Sequence, residues 1–179
     1  AVTAAYGPTR PDFYETTMAQ AAAEGRTGTP NQWVIECLTD RDVCVVDMYD
    51  KIYKGTFVGG NLTTAIKNKT HTGGAVIWGG IRDIEQMQKV DGVQVYYRGI
   101  DPTPIRDFAM ISFNGPVRLG DGEHAAICLP GDVVYGCSGG VLFIPPHLVV
   151  EVVENGAKTQ VKDIFGFEMI TFNKFTPAQ

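Results

Sequence analysis

The first half of the chain alternates short apolar runs with segments whose apolar residues recur at helical spacing. Apolar runs predict buried strands at Val43–Asp47, 75–78 and 93–98. The helical spacing, together with Pro30 at a helix-starting position, predicts helices at 13–24, 30–38, 61–69 and 83–89. Because strands joined through helices usually form right-handed crossovers, this half of the chain predicts a parallel sheet.

The second half has a different pattern, in which the apolar runs are short, closely spaced and rich in valine and isoleucine. Strands are predicted at 108–113, 116–119, 125–129, 132–135 and 141–144, between turn sequences such as NGP, GDGE, PGD and SGG. Pro145 predicts the start of a helix ending at about Glu154, and the following tail has helical character around 161–167. We therefore expect one α/β domain over residues 1–179, with a parallel-sheet first half, a β-rich second half and a C-terminal tail from about residue 155.

Composition and charge narrow the class of partner. The 179 residues are 44% hydrophobic and 20% charged, as expected for a globular protein with a sizeable core. A formal net charge of -5 argues against nucleic acid as the main partner, because nucleic-acid-binding surfaces are basic. A small anionic substrate stays compatible with this net charge, since one local arginine can bind it. No apolar stretch is long enough to predict a membrane span.

The cysteines indicate the compartment. Cys37, Cys44, Cys128 and Cys137 form no CxxC pair and have no zinc-ligand spacing. They predict free, buried thiols in a reducing environment, for which the cytoplasm is the expected location.

Two predicted helices begin directly after glycine pairs, in GGNLTT and in GGIRD. Ligands of α/β sheets collect at the carboxyl ends of strands, and free N–H groups at a helix start bind carboxylates or phosphates. If the two loops are neighbours, the segment from Gly60 to Thr63 offers amide donors and Arg82 offers a bidentate clamp for a carboxylate. Asp83 then offers a ligand for a hard cation such as magnesium.

A purely structural interpretation of the second loop stays open. Asp83 is a suitable N-cap, and Gln86 stands three residues on, as a capping box requires. Gly79 and Gly80 would then make the turn, and Arg82 would be solvated.

Several sequence blocks, in this order, resemble the RraA-like family. The blocks are RPDF, GTPN, VVDMYD, GGNLTTAIKNKTHTGGAVIWGGIRD, FNGPVRLG and PGDVVYGCSGGVLFIPP, and they span most of the chain. The family includes the regulator of ribonuclease E activity and metal-dependent aldolases that act on 4-hydroxy-4-methyl-2-oxoglutarate and 4-carboxy-4-hydroxy-2-oxoadipate. The resemblance implies a swivelling β/β/α-type fold, trimers or hexamers, and a pocket between subunits.

The resemblance also implies roles for particular residues. Asp83 would bind the divalent metal, Mg²⁺ or another cation such as Mn²⁺, and Arg82 would hold the substrate. The loop formed by Gly60, Asn61, Leu62 and Thr63 would bind the pyruvate part of the substrate through main-chain amides.

The chain departs from the aldolase pattern at two positions. Asn61 stands where the aldolases carry an acid, and Gln86 stands where they carry Asp or Glu, the nearest acid being Glu85. Asn61 can orient a water molecule but cannot act as a base. The helical N-terminal segment of the family is also expected to be absent.

Three functions follow from the resemblance. The first is a metal-dependent lyase acting on a 2-oxo acid, by retro-aldol cleavage giving pyruvate or by decarboxylation of oxaloacetate, since both pass through a pyruvate enolate that the metal stabilises. The second is a non-catalytic regulator that binds a ribonuclease or another protein. The third is a metal-dependent sugar-acid dehydratase. A methyltransferase, an older description of some members, is disfavoured because no glycine-rich cofactor loop of that class is visible.

Overall fold

The computed structural model describes residues 1–71 and 73–178 and divides the chain into two compact units. The first unit comprises Ala1–Phe143, and the second begins at Ile144. The helices are α1 (Pro11–Ala23), α2 (Pro30–Glu36), α3 (Gly60–Thr70), α4 (Ile84–Met87) and α5 (Val149–Thr171). The strands are β1 (Val2–Pro8), β2 (Val43–Asp47), β3 (Thr56–Val58), β4 (Gly74–Ile81), β5 (Gln94–Ile100), β6 (Phe108–Phe113), β7 (Val117–Leu119), β8 (Ala126–Cys128), β9 (Val133–Cys137) and β10 (Gly140–Ile144).

A six-stranded sheet forms the centre of the first unit. Its strands lie in the order β3-β4-β2-β1-β6, and β5 pairs with β4. The pairs β1/β2, β2/β4, β3/β4 and β4/β5 are parallel, which confirms the predicted parallel sheet, whereas β6 runs antiparallel to β1. Strand β2 pairs with β4 as far as Trp78, and β3 continues the pairing at Gly80 and Ile81.

The predicted β-rich second half is also confirmed. After β6 joins the central sheet, β7 and β8 form an antiparallel pair, and β9 and β10 form a second two-stranded sheet. The architecture is therefore α/β, with its parallel strands in the first half of the chain.

Side chains on the two faces of the central sheet form two buried clusters. Val46 and Ile77 belong to one cluster, which also includes buried side chains of α2 and α3. Their chain neighbours Val45 and Val76 belong to the other, which includes Val117 of β7. This alternation follows from the two-residue period of a strand, and it shows that β2 and β4 are covered on both faces.

Strand β1, which lies between β2 and β6 in the sheet, was not predicted from the sequence. Its segment VTAAYGP is rich in alanine and glycine, which have low strand propensity, and pairing with two neighbours overrides that propensity.

The prediction that the last helix ends near Glu154 is wrong. A 3₁₀ turn at Pro146–Leu148 leads into α5, which continues to Thr171 and contains no buried residue. The Asn155–Gly156 pair is a turn signal, but apolar residues at helical spacing continue beyond it. Across residues 1–71 and 73–178, no helix is both long enough and apolar enough to cross a membrane.

All four cysteines are free thiols, as predicted. Cys44 and Cys128 are buried, and burial raises the pKa of the Cys44 thiol to about 12 and that of Cys128 to about 11. The expectation of burial is wrong for Cys37 and Cys137, which are exposed.

Candidate functional site

The two glycine-led segments meet at one edge of the parallel sheet. The backbone N–H of Arg82, just after β4, donates to the carbonyl of Val58, at the end of β3, with an N–O distance of 3.1 Å. Helix α3 begins two residues after Val58, and α4 begins two residues after Arg82. The structure therefore brings together the two loops in which the sequence placed the site.

Gly79 and Gly80 do not make the turn, because both lie within β4. A Cβ atom on Gly79 would lie 2.4 Å from the Cβ of Met48, and one on Gly80 would lie 2.9 Å from the carbonyl oxygen of Ile52. Glycine is needed here because the loop after β2 crosses close to the strand.

The Arg82 side chain is held against β3 rather than solvated. Its exposed fraction is 27%, and its Nη1 donates to the hydroxyl of Thr56 at 3.1 Å and to the carbonyl of the same residue at 3.4 Å. Its Nε lies 3.6 Å from the Oδ2 of Asp83. Thr56 was not predicted as a site residue, because nothing in a three-residue strand marks a hydroxyl as an arginine partner.

Asp83 does not cap α4 with its side chain, so the capping-box interpretation is wrong. The residue is left-handed, with φ 58° and ψ 43°, and only its backbone carbonyl accepts the first helical N–H groups. Its carboxylate turns instead toward Gly59 and Arg82, and a Cβ on Gly59 would lie 2.3 Å from its Oδ2. The side-chain amide of Gln86, which the capping box required, donates to the Oδ1 of Asn61 at 3.0 Å.

The predicted Gly60–Thr63 segment forms the first turn of α3. The N–H of Thr63 donates to the carbonyl of Gly59 at 3.0 Å. The N–H groups of Gly60, Asn61 and Leu62 precede it, and the first N–H groups of a helix have no intrahelical acceptor. These three amides can serve a ligand, whereas the Thr63 amide is already used.

The donors fit a cation that binds through one protein carboxylate. Among the described residues, no group of three or more His, Cys, Asp or Glu side chains is placed to hold a metal. Magnesium commonly keeps several waters and takes only one or two carboxylates together with oxygens of the substrate. Asp83, whose carboxylate fills the space left by the missing side chain of Gly59, could supply one such ligand.

A cavity of about 300 Å³ opens beside this junction. Three of the predicted residues line it, namely Asn61, Leu62 and Arg82. The sequence did not identify the remaining lining residues, which come from β1, α1, α2, β3 and the segment around β6: Tyr6, Tyr14, Thr29, Pro30, Asn31, Gln32, Thr56, Pro104, Ile105, Phe108 and Ala109. A pocket of this size can hold a small metabolite.

These features define an α/β protein with a crevice at the carboxyl ends of parallel strands, the usual ligand position in such sheets. A family model described as RraA-like, Aldolase/RraA, matches residues 18–143. The chain therefore belongs to the RraA-like family.

Solved structures show the same fold. RraAS2 from Streptomyces coelicolor, described as an unusual member of the RNase ES inhibitor RraA protein family, has a TM-score of 0.71 and 23% identity, over 93% of this chain and 75% of its own. An uncharacterized Pseudomonas syringae pv. tomato protein has a TM-score of 0.71 and 19% identity, over 95% and 70%. The RNA-processing inhibitor RraA from Thermus thermophilis has a TM-score of 0.52 and 22% identity, over 63% and 64%. No curated protein matches the sequence.

Proposed function

We propose that the protein is a divalent-metal-dependent lyase that cleaves a 2-oxo acid to pyruvate, by retro-aldol cleavage or by decarboxylation of oxaloacetate. In retro-aldol cleavage the carbon–carbon bond two positions from the oxo group breaks, the neighbouring hydroxyl loses its proton, and the enolate takes up a proton to give pyruvate. In decarboxylation the same enolate forms as carbon dioxide leaves. The membership in an Aldolase/RraA family supports this class of reaction.

The observation that carries the proposal is the meeting of Arg82, Asp83 and the start of α3 at one edge of the sheet. Arg82, Asn61 and Leu62 line the cavity there, whereas Asp83 does not. The Arg82 guanidinium is anchored by Thr56 and offers a planar fork for a carboxylate. The amides of Gly60, Asn61 and Leu62 can donate to the oxo group or to the carboxylate. Asp83 would hold the cation, which when bound supplies a Lewis acid that lowers the energy of the developing enolate.

The side chains at positions 61 and 86 do not supply a base. Asn61 and Gln86 bond to each other through their amides, and neither amide can accept a proton from the substrate. We therefore propose that the proton passes to water or to a carboxylate from another copy of the chain. A homotrimer or hexamer whose pockets lie at subunit boundaries would supply such a carboxylate.

Pyruvate release from oxaloacetate tests the proposal. The expected result is release that requires added Mg²⁺ or Mn²⁺, stops with excess EDTA and returns when the metal is restored. Because metal ions alone decarboxylate oxaloacetate slowly, the rate must be corrected for the same metal with heat-inactivated protein. A corrected rate of zero with oxaloacetate and with 4-hydroxy-2-oxo acids would refute the lyase proposal.

A non-catalytic regulator is the second candidate. The Asn61–Gln86 amide pair favours a regulator, because these two amides stand where the aldolase pattern has two acids. Two structural relatives are described as inhibitors of RNase ES or of RNA processing. The net charge of -5 suits a partner with basic segments. The test is whether purified protein slows RNA cleavage by a ribonuclease of the RNase E class at stoichiometric concentration, and whether added salt removes the effect.

A further inference from the structure

The loop after β5 contacts the residue that anchors Arg82. The hydroxyl of Thr56 donates to the carbonyl of Thr103 and accepts from the Nη1 of Arg82 at 3.1 Å. Because a hydroxyl has a single proton, and Thr103 accepts that proton, Thr56 faces Arg82 only as an acceptor. Thr56 is fully buried, so its hydroxyl relies on these protein partners. The orientation of the Arg82 guanidinium therefore depends on where the loop holds the Thr103 carbonyl.

One carboxylate fixes Thr103 in this loop. The Oδ1 of Asp101 accepts the backbone N–H of Thr103 at 2.9 Å and also accepts its hydroxyl proton. The neighbours Pro102 and Pro104 have no backbone N–H, so the donors of this stretch are the two of Thr103, and both bind Asp101. The bond from the Thr103 hydroxyl, and then the bond from its N–H, lower the pKa of Asp101, so the carboxylate is ionised at neutral pH. Without this carboxylate both donors would lose their acceptor.

The same loop is tied to the ends of β3 and β4. The N–H of Asp101 donates to the carbonyl of Ile81, the residue before Arg82, at 3.1 Å. Pro104 forms a parallel bridge with Thr56 and lines the cavity. Asp101 itself does not line the cavity. A steric effect of Asp101 on a ligand there must therefore pass through the residues that Asp101 holds.

We propose that Asp101 is a positioning residue of the site, which fixes the Arg82 guanidinium through Thr103 and Thr56 so that its free N–H groups meet the substrate carboxylate. Both hydrogen bonds of this guanidinium within the described residues use Nη1, so the N–H groups of Nη2 remain for that carboxylate. The inference rests on the proposed function for the identity of the ligand, and it adds to the site a residue outside the cavity.

Pyruvate, the product of the proposed reaction, is the probe, and its binding is measured by calorimetry on the whole protein with Mg²⁺. Asp101→Ala should weaken pyruvate binding about three- to tenfold, because the guanidinium loses its fixed orientation. Charge alone predicts the opposite sign, since removing an acid favours an anionic ligand. Asp91→Ala, which removes an exposed acid from the turn after α4, is the matched control and should bind pyruvate as the wild type does.

Variants of Thr56 and Arg82 test the path from Asp101 to the ligand. Thr56→Val removes the hydroxyl at nearly equal volume and should weaken pyruvate binding about tenfold, whereas Thr56→Ser keeps the hydroxyl and should stay within about twofold of wild type. In the Arg82→Lys background, Asp101→Ala should change binding by less than about twofold, because the planar fork that Asp101 orients is gone. A merely structural role for Asp101 would weaken binding equally in both backgrounds.

The order of the Arg82 side chain gives a measurement without ligand. ¹⁵N relaxation of the Arg82 Nε should give a lower order parameter in Asp101→Ala and Thr56→Val than in wild type and Thr56→Ser. Unchanged order of Arg82, equal or tighter pyruvate binding in Asp101→Ala, equal losses in both backgrounds, or no pyruvate binding by the wild type would overturn the inference. Because neither measurement involves turnover, a failed lyase assay with the expected results here would refute only the proposed function.

Discussion

Arg82 and Asp83 are adjacent in the chain but are positioned by different neighbours. Arg82 reaches back to Thr56, while the left-handed backbone at Asp83 turns the carboxylate toward Gly59. A left-handed aspartate without a capping bond is uncommon, and such conformations persist where the surrounding structure requires them. We therefore expect substitutions at these two residues to affect ligand and metal more than folding.

Asp83→Ala should abolish metal-dependent pyruvate release, because the site would lose its protein carboxylate. The free energy of unfolding should change by no more than about 1 kcal/mol, since the lost ion pair with Arg82 is half exposed and the side chain caps no helix. Activity assays and urea unfolding measure the two effects. Asp91→Ala, which removes an exposed acid from the turn after α4, is the matched control. Activity equal to wild type in Asp83→Ala would show that Asp83 is not part of the site.

Arg82→Lys should raise the KM for a 2-oxo acid about tenfold. Lysine keeps the charge but loses the planar fork, which can bind a carboxylate while it donates to Thr56. Steady-state kinetics measure the effect, and Arg106→Lys serves as control because Arg106 is exposed and does not line the cavity. An unchanged KM in Arg82→Lys would show that Arg82 serves structure rather than substrate.

At the scale of elements, the site depends on the short distance between the first residues of α3 and α4. Gly59 and Gly60 let the two helix starts approach, since a Cβ on Gly60 would lie 2.2 Å from the Cδ of Gln86. The Gln86–Asn61 hydrogen bond then links the two helices directly. The spacing between the amides of α3 and the carboxylate of Asp83 is therefore set by glycine, not by a long side chain.

Gly59→Ala should disturb this spacing without straining the backbone. Its φ of -133° is accessible to alanine, but the new Cβ would meet the Asp83 carboxylate at 2.3 Å. We expect weaker Mn²⁺ binding and at least about a tenfold loss of activity, with a cost of about 1–3 kcal/mol in unfolding free energy for the overpacking. Mn²⁺ binding followed by electron paramagnetic resonance reports the displacement of the carboxylate.

Gly139→Ala is the control for that variant, because its Cβ would make only an ordinary contact, 3.6 Å from the Sγ of Cys137. Metal affinity retained in Gly59→Ala would show that the approach of Gly59 to Asp83 has no role in the site.

At the scale of the whole molecule, many large apolar side chains are exposed in each unit considered by itself. In the first unit they include Ile111, Ile127 and Leu142, with exposed fractions of 57%, 59% and 58%. In the second, Val153, Val161 and Ile164 of α5 are 62%, 68% and 54% exposed. Exposed apolar surface of this extent is typical of proteins that associate.

We predict a homotrimer or hexamer in which the stripe formed by Val153, Val161 and Ile164 contacts another copy. These residues share one face of α5, because they are spaced by eight and three positions. Light scattering should give about 58 or about 116 kDa, three or six times the 19.4 kDa of one chain. The double variant Val153→Asp/Ile164→Asp should lower the mass, because burying either carboxylate in an apolar contact is costly.

Thr159→Asp is the control, since it adds a carboxylate on another face of the helix and should leave the mass unchanged. A wild-type mass of 19.4 kDa at low concentration would show that the chain does not associate. No second copy could then supply a carboxylate to the pocket. A double variant with the wild-type mass would show that the copies meet elsewhere.

Local pattern was enough to predict most of the elements. Strand β2 and strand β6 have the predicted bounds, α3 lies within one residue of its predicted bounds and β4 within three, because their apolar periodicity is strong and their glycine boundaries are clear. The pairing of Arg82 and Asp83 with the start of α3 could also be expected, since parallel strands end at the same edge of a sheet. The family blocks strengthened that expectation.

Long-range contacts decided what the local pattern left open. Whether Asp83 caps α4 or faces Gly59 depends on the distance between two helix starts that are 24 residues apart, and no local propensity encodes that distance. Similarly, the pairing of distant strands made Thr56 the partner of Arg82 and left the buried Tyr6 hydroxyl without a hydrogen-bond partner among the described residues. The sequence by itself thus determined most of the elements, the family and the residue types at the two helix starts. Only the tertiary structure decided which of those groups are already satisfied by the protein and which are left for a ligand, because a hydrogen bond or a buried charge depends on neighbours in space.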